Sequence, residues 1–405
     1  MITKRRLAAL AVVVLSLTGC SKKKDGDAQS GAQAGGGTQT AVTQTGPQPG
    51  GKQPGSADPG AKTPEGCNSD LSQPIEADYT LTEKCSPYKI GSDFGIDGYT
   101  LTIEPGVELR FADNTRLGAG YSKPGRLVVK GTKEKPVRMI GARSAAGSWA
   151  GVKLWTDAGG SSLDNLVIEN AGTDDLAALT LDTSDASLTG VVIKGAKKRA
   201  LELNSPKPLK AIAGLDLKEA GGDPDELVRM TVQAAHSLGA GNAFPEKAII
   251  LLHGQANQDI KLTAQGVPYR IFEEMQVDPP EGKSAVLTIE AGVTLQFSDD
   301  AALTFGYTQT GAGLKVLGTA EKPVTFTRYG EDQKSTPFRG LSFWGGSRAP
   351  ELAFAVIEFA GHEDQGAITY RDAKGLGKIT HCTFRHLPGP GIVATSAKER
   401  FQAFD

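Results

Sequence analysis

One phrase occurs twice in this chain and constrains it more than anything else: LTIEPGVELRF at Leu101–Phe111 and LTIEAGVTLQF at Leu287–Phe297. In the first, Leu101, Ile103, Val107, Leu109 and Phe111 fall on one face, and Thr102, Glu104, Glu108 and Arg110 on the other. Period-two alternation of this kind belongs to a strand with one buried side. Pro105-Gly106 interrupts it as a corner would. In the second, Leu287, Ile289, Val293, Leu295 and Phe297 repeat the inner set.

The repetition extends well beyond the phrase. RLVVKGTKEKPVRMI, WAGVKLW and LDNLVIENAG follow in the first copy; GLKVLGTAEKPVTFT, FRGLSFW and LAFAVIEFAG follow in the second. The offset is 186 residues at Leu101/Leu287 and 189 at Trp155/Trp344, so small insertions separate otherwise matched strands. From Tyr79 onward the chain is an internal duplication. Within each copy a shorter spacing recurs. Strand starts fall near Leu101, Leu127, Val152, Leu179 and Leu201, then near Leu287, Leu314, Leu341, Ile368 and Ile392. Steps of about 22–27 residues are the range of solenoids. The Leu/Asn framework of leucine-rich repeats is missing, and propeller blades need about 40 residues.

A parallel β-helix remains. Gly131-Thr132 with Lys135-Pro136, and Gly318-Thr319 with Lys322-Pro323, make matched turns between strands. On these phrases the chain resembles the right-handed parallel β-helix proteins of pectate-lyase-like architecture. It is most similar to bacterial surface proteins that carry LTIEPGV, a V-x-G-T…K-P-V turn and W-x-G. The resemblance implies an all-β, right-handed parallel β-helix. Its inward ladders would hold Ile103, Leu109, Val129, Val137, Val152 and Leu154 in one copy, and Ile289, Leu295, Val316, Val324, Leu341 and Phe343 in the other. At about 4.8 Å per coil, roughly thirteen coils would make a rod of about 60 Å, with open ends that require capping.

The N-terminus reads as an address. Lys4, Arg5 and Arg6 precede an apolar run, Leu7 to Leu17, which is too short to span a bilayer. Leu17-Thr18-Gly19-Cys20 resembles a bacterial lipobox. That resemblance implies cleavage before Cys20, acylation of Cys20 and anchoring by several acyl chains. Ser21, in place of the Asp that favours inner-membrane retention, points to the outer membrane, on its periplasmic or extracellular face. Ser21 to Gly66 is Gly-, Gln-, Pro- and Thr-rich, with Val42 as its only large aliphatic residue. Such a stretch cannot bury enough apolar surface to offset ordering entropy. As a flexible coil its ends would lie on the order of 35–40 Å apart. Lys22, Lys23 and Lys24 either touch anionic headgroups or are a solvated run.

Cys67 and Cys85 open the folded region; in an exported protein they read as a disulfide, the other reading being two free thiols. Cys382 aligns with inward-facing Val191 and reads as a buried small hydrophobe beside Phe384. Between the copies, Asp223-Pro224-Asp225-Glu226 followed by Leu227, Val228, Thr231, Val232, Ala235 and Leu238 predicts a helix from Pro224 to Leu238, ending at Gly239. The expected organisation is therefore a signal peptide (1–19), a lipidated cysteine and tether (20–66), a first β-helix half (67–222), a helical insertion (223–245) and a second half (246–405).

Chemistry is harder to read. A net charge of −2 gives no electrostatic reason to expect nucleic acid. Relatives of pectate-lyase-like architecture include lyases, which use calcium-binding acidic clusters with a basic residue nearby, and hydrolases, which use paired carboxylates. The recurrent carboxylates here, Asp113/Asp299, Asp300 opposite Asn114, and Asp174-Asp175 opposite Glu363-Asp364, follow corners and read as solvated turn residues. His362, His381 and His386 invite a zinc reading, but His381 faces outward by alternation. Tyr121/Tyr307 and Trp155/Trp344 recur in both copies. They either stack on sugar rings or fill gaps under loops. No catalytic residue, metal or cofactor is assigned. The expectation is a non-catalytic envelope protein, bound to membrane through its lipid, offering its surface to carbohydrate or another envelope protein. The alternative is a polysaccharide lyase or glycoside hydrolase.

Overall fold

The computed structural model describes residues 66–330, 336–362 and 365–395. The expected signal peptide, Cys20 and the tether as far as residue 65 lie outside these residues. Strands stack in parallel on counterparts one coil away. One coil runs Thr100–Ile103, Glu108–Phe111, Arg116–Ala119; the next runs Arg126–Lys130, Val137–Gly141, Gly151–Leu154. Leu101 pairs with Leu127, Leu109 with Met139, and Leu117 with Val152. The fold is a parallel β-helix with three strands per coil, and the ladder residues of both copies are buried as expected. Each apolar side chain so buried contributes about 1.5–3 kcal/mol, and like stacks on like because a coil repeats its neighbour's geometry. The larger interior gaps are filled by stacked rings at repeat-equivalent places: Phe111 on Trp149 at 3.9 Å and Phe297 on Phe338 at 4.1 Å.

The turns follow the sequence closely. Thr132 N–H donates to the Lys135 carbonyl and the Thr132 hydroxyl accepts from Lys135 N–H; Thr319 and Lys322 repeat both bonds. Gly106 sits at φ 82°, and a Cβ there would fall 2.6 Å from the Glu83 carboxylate one coil below.

Three readings change. The periodic strand starts are not all on one face. Leu101 and Leu127 share one sheet and Val152, Leu179 and Leu201 another, so Leu127 and Val152 belong to the same coil. The helix expected from Pro224 to Leu238 shrinks to Val232–Ala235, capped by the Thr231 hydroxyl accepting from Ala234 N–H. Val228–Thr231 is a strand, paired with Leu201–Leu203 on one side and Ile250–His253 on the other. Val228 and Met230 alternate as well as they wind, and the exposed edge of the preceding coil supplied the backbone partners that decided between the two. Asp223 forms a turn rather than a cap, accepting from Asp225 N–H at 3.0 Å.

The third change concerns the duplication. Equivalent strands of the two copies do not continue one another's sheets. The five-stranded sheet holding Glu108–Phe111 ends with Val192–Lys194, prolonged only by single bridges to Asp216 and then Ala243. A twelve-stranded sheet instead passes from Leu201–Leu203 through Val228–Thr231, Ile250–His253 and Tyr269–Ile271 to Thr294–Phe297. Third strands of the first copy thus lead into second strands of the second. A new sheet begins where Ala256 bridges Val277. The second copy is set one face further round. Any face can accept it, because all three repeat at the same spacing with apolar residues inward.

Candidate functional site

The four recurrent aromatics come together in two pairs built alike. Each tyrosine follows a third strand, Arg116–Ala119 or Ala302–Phe305, after one glycine. That glycine is obligatory: Gly120 (φ 72°) and Gly306 (φ 63°) lie under the next coil's turn, where a Cβ would meet Ala158 N at 2.3 Å or Ser347 N at 2.2 Å. Each tryptophan begins that turn, with Trp155 N–H donating to the Ala119 carbonyl and Trp344 N–H to that of Phe305, both at 3.0 Å. The rings meet at 5.0 Å between Tyr121 and Trp155, and at 4.9 Å, edge-on, between Tyr307 and Trp344.

A cation closes each pair, reached by a different route. Lys153 Nζ stands 5.7 Å from the Trp155 ring and 3.0 Å from Asp182; Arg371, one coil later, stands 5.2 Å from the Trp344 ring. Below each tyrosine lies an aspartate. Asp97 accepts from Tyr121 N–H at 2.8 Å, and from Ser122 N–H and its hydroxyl. Asp278 accepts from Gln309 N–H at 2.9 Å and from the Thr308 hydroxyl. Burial pushes the Asp97 carboxyl up, but the bonds from Ser122, Tyr121 and Lys123 outweigh it and hold the group below the ordinary Asp range.

Within each pair the roles divide. Trp155 and Trp344 are half-buried supports; the Trp155 ring lies where a side chain on Gly118 would be, 2.2 Å from its hypothetical Cβ. Tyr121 and Tyr307 are the outward rings, 72% and 55% exposed. Asp97, Asp278, Lys153 and Arg371 escaped sequence reasoning. The available signal was an aspartate directly after a third strand, one coil before each Gly-Tyr.

The other candidates stay apart. Cys67 and Cys85 are joined in a disulfide with Cα atoms 5.3 Å apart, tying the segment before the first coil to its corner. Cys382 is half-buried, its Sγ 3.3 Å from the Thr380 carbonyl, and burial pushes its thiol up. His381 and His386 stack on Phe354 and Phe359, while His362 pairs through its backbone with Gln365. Among the described residues no three His, Cys, Asp or Glu side chains are gathered as a metal site. Asp113 pairs with Arg143 at 2.7 Å, Asn114 and Asp300 occupy left-handed turn positions, and Asp175 N–H caps on the Thr173 hydroxyl. Glu363 and Asp364 lie outside the described residues. A groove of about 490 Å³ crosses the first copy's outer face, and four of the charges lining it are joined in ion pairs, Arg138 with Glu169 at 2.9 Å and Lys194 with Glu219 at 2.8 Å.

Fold and site together define a duplicated parallel β-helix with a repeated surface aromatic element. No protein-family model, curated protein or solved structure matches the chain.

Proposed function

We propose that this is a lipid-anchored cell-envelope protein whose β-helix carries out no reaction and offers its two tyrosine platforms to a carbohydrate polymer. One observation carries the reading: among the described residues the two most exposed large apolar side chains, Tyr121 and Tyr307, occupy repeat-equivalent places on the same kind of support. An unused tyrosine ring held in water has little structural purpose, whereas a ring fixed by a neighbouring tryptophan and an aspartate-capped loop loses little entropy on stacking against a sugar. The lipobox-like Leu17–Cys20 supports attachment to the outer membrane.

The test is a glycan array probed with the full chain in detergent, with calcium present. Retention of one glycan class is expected, with Tyr121→Ala and Tyr307→Ala each reducing it and the pair abolishing it. Retention that survives the double substitution rejects the platforms. Cleavage of a glycan on the same array would favour the lyase or hydrolase alternative. For the anchor, Cys20→Ala is expected to move the protein out of the membrane fraction and to abolish incorporation of labelled palmitate.

A further inference from the structure

The two tyrosine platforms are equivalent in sequence but not in direction. Tyr121 stands two residues beyond Ala119, at the end of a strand in the twelve-stranded sheet. Register pairing carries that place along the rod in seven steps, from Ala119 through Leu181, Met230 and Ile271 to Phe297. Two residues beyond Phe297 stands Asp299, exposed and followed by exposed Asp300. Tyr307 is elsewhere. It follows Ala302–Phe305, which pairs with Met275–Val277 and Gly340–Phe343 in a separate sheet. The shift of one face between the copies has turned the second platform onto another side of the rod.

This decides what one bound chain can reach. Seven steps at about 4.8 Å set the coils of the two tyrosines roughly 34 Å apart along the axis. A chain laid along the rod over Tyr121 runs toward Asp299 and Asp300, which offer carboxylates and no ring. It meets Tyr307 only by bending around the edge of the sheet on the way. Both rings nevertheless suit the same ligand, because each has the same supporting tryptophan and a loop tied to an aspartate one coil below.

We propose that the platforms seat two separate chains of a β-1,4-linked glycan, so that one protein molecule joins two polymer chains. This rests on the carbohydrate reading above and adds its linkage class and valence. Sugars linked in this way carry their substituents near the ring plane. That leaves flat C–H faces for an exposed tyrosine ring to cover, and it makes the chain extended and stiff. A stiff chain does not turn from one sheet to the other between platforms. Filling one site then gives the second no gain in effective concentration, and the two bind independently.

The probes are chitotetraose, too short to reach from one platform to the other, and soluble glycol chitin. The full chain is used in detergent at less than one protein per micelle, so that micelles do not themselves join chains. NMR of labelled tyrosines is expected to show the Tyr121 and Tyr307 rings both titrating with chitotetraose. Tyr307→Ala should leave the Tyr121 midpoint within about twofold of wild type with either probe, whereas one chain engaging both platforms would weaken that midpoint for glycol chitin about tenfold or more. Light scattering should rise as glycol chitin is added to the wild type, and stay flat with Tyr121→Ala or Tyr307→Ala. The tenfold loss without a rise in scattering overturns the two-chain inference and leaves the carbohydrate reading standing. No titration of either ring with either probe overturns the β-1,4 assignment, and the glycan array judges the carbohydrate reading separately.

Discussion

Gly118→Ala probes the tyrosine platform through its foundation. Gly118 is in a strand at ordinary extended backbone angles, so alanine is acceptable to the main chain. Its new methyl, however, would fall 2.2 Å from the Trp155 ring, well inside contact. The ring has to lift. Lifting re-exposes about a third to a half of the ring's buried area, roughly 80–100 Å², which at about 25 cal/mol per Å² loses about 2 kcal/mol. The ring contact to Tyr121 is worth about 0.5–1.5 kcal/mol more. Against this, replacing glycine in a strand returns about 0.5–1 kcal/mol from the unfolded chain. The net expectation is a loss of about 1.5–3 kcal/mol, with tryptophan emission shifted to the red. Gly95 is the control: it pairs with Gly118 in register, and its Cβ would meet nothing within 4 Å. Gly95→Ala should therefore be neutral or stabilising. Urea midpoints and emission spectra of both variants decide the matter. Trp155→Ala completes a cycle, in which Gly118→Ala should cost nothing further once the indole is gone. Were Gly118→Ala as stable as Gly95→Ala with unchanged emission, Trp155 would not be the supporting ring.

Gly306→Ala should be harsher, because a Cβ at φ 63° also meets the backbone of Ser347; a loss of about 2 kcal/mol or more is expected, with the Tyr307 platform disordered and that of Tyr121 intact by NMR of labelled tyrosines. Cys85→Ser opens a link between residues 18 apart and should cost about 3 kcal/mol in the chain-entropy account. The faster exchange should be confined to amides such as Leu71 and Lys89, which bond across the first coil. Acid should weaken the seam. Burial, then Arg229, lowers the His253 value, so on acidification the unfolded chain takes up a proton before the folded one does. Stability present above the ordinary histidine range is lost as pH falls through it toward the depressed folded value. His253→Gln should flatten that limb of a pH-dependent melting curve.

Much of this architecture was visible in the residues. The inner ladders, from Ile103 to Phe343, needed only alternation and repetition, because a β-helix imposes the same inside and outside on every coil. Both Gly-Thr…Lys-Pro turns were equally plain, since each closes on itself within four residues. The helix from Pro224 to Leu238 failed for the opposite reason. Its residues satisfy strand and helix periods alike, and the unpaired edge of Leu201–Leu203 is not written near them in the chain. Of the site, the recurrent Tyr and Trp were legible. Their division into outward ring and inner support was not, because it depends on Gly118, one coil below.

The sequence alone determined that this chain winds into coils, that it does so twice, and which side chains line the interior. Those are consequences of local alternation repeated at a fixed spacing. Only the tertiary structure decided on which face the second copy begins. Three nearly equivalent faces compete for the incoming strand, and the choice rests on how the segment between Thr231 and Ile250 closes in space. That choice also places Arg229 beside His253 and carries the twelve-stranded sheet across the seam.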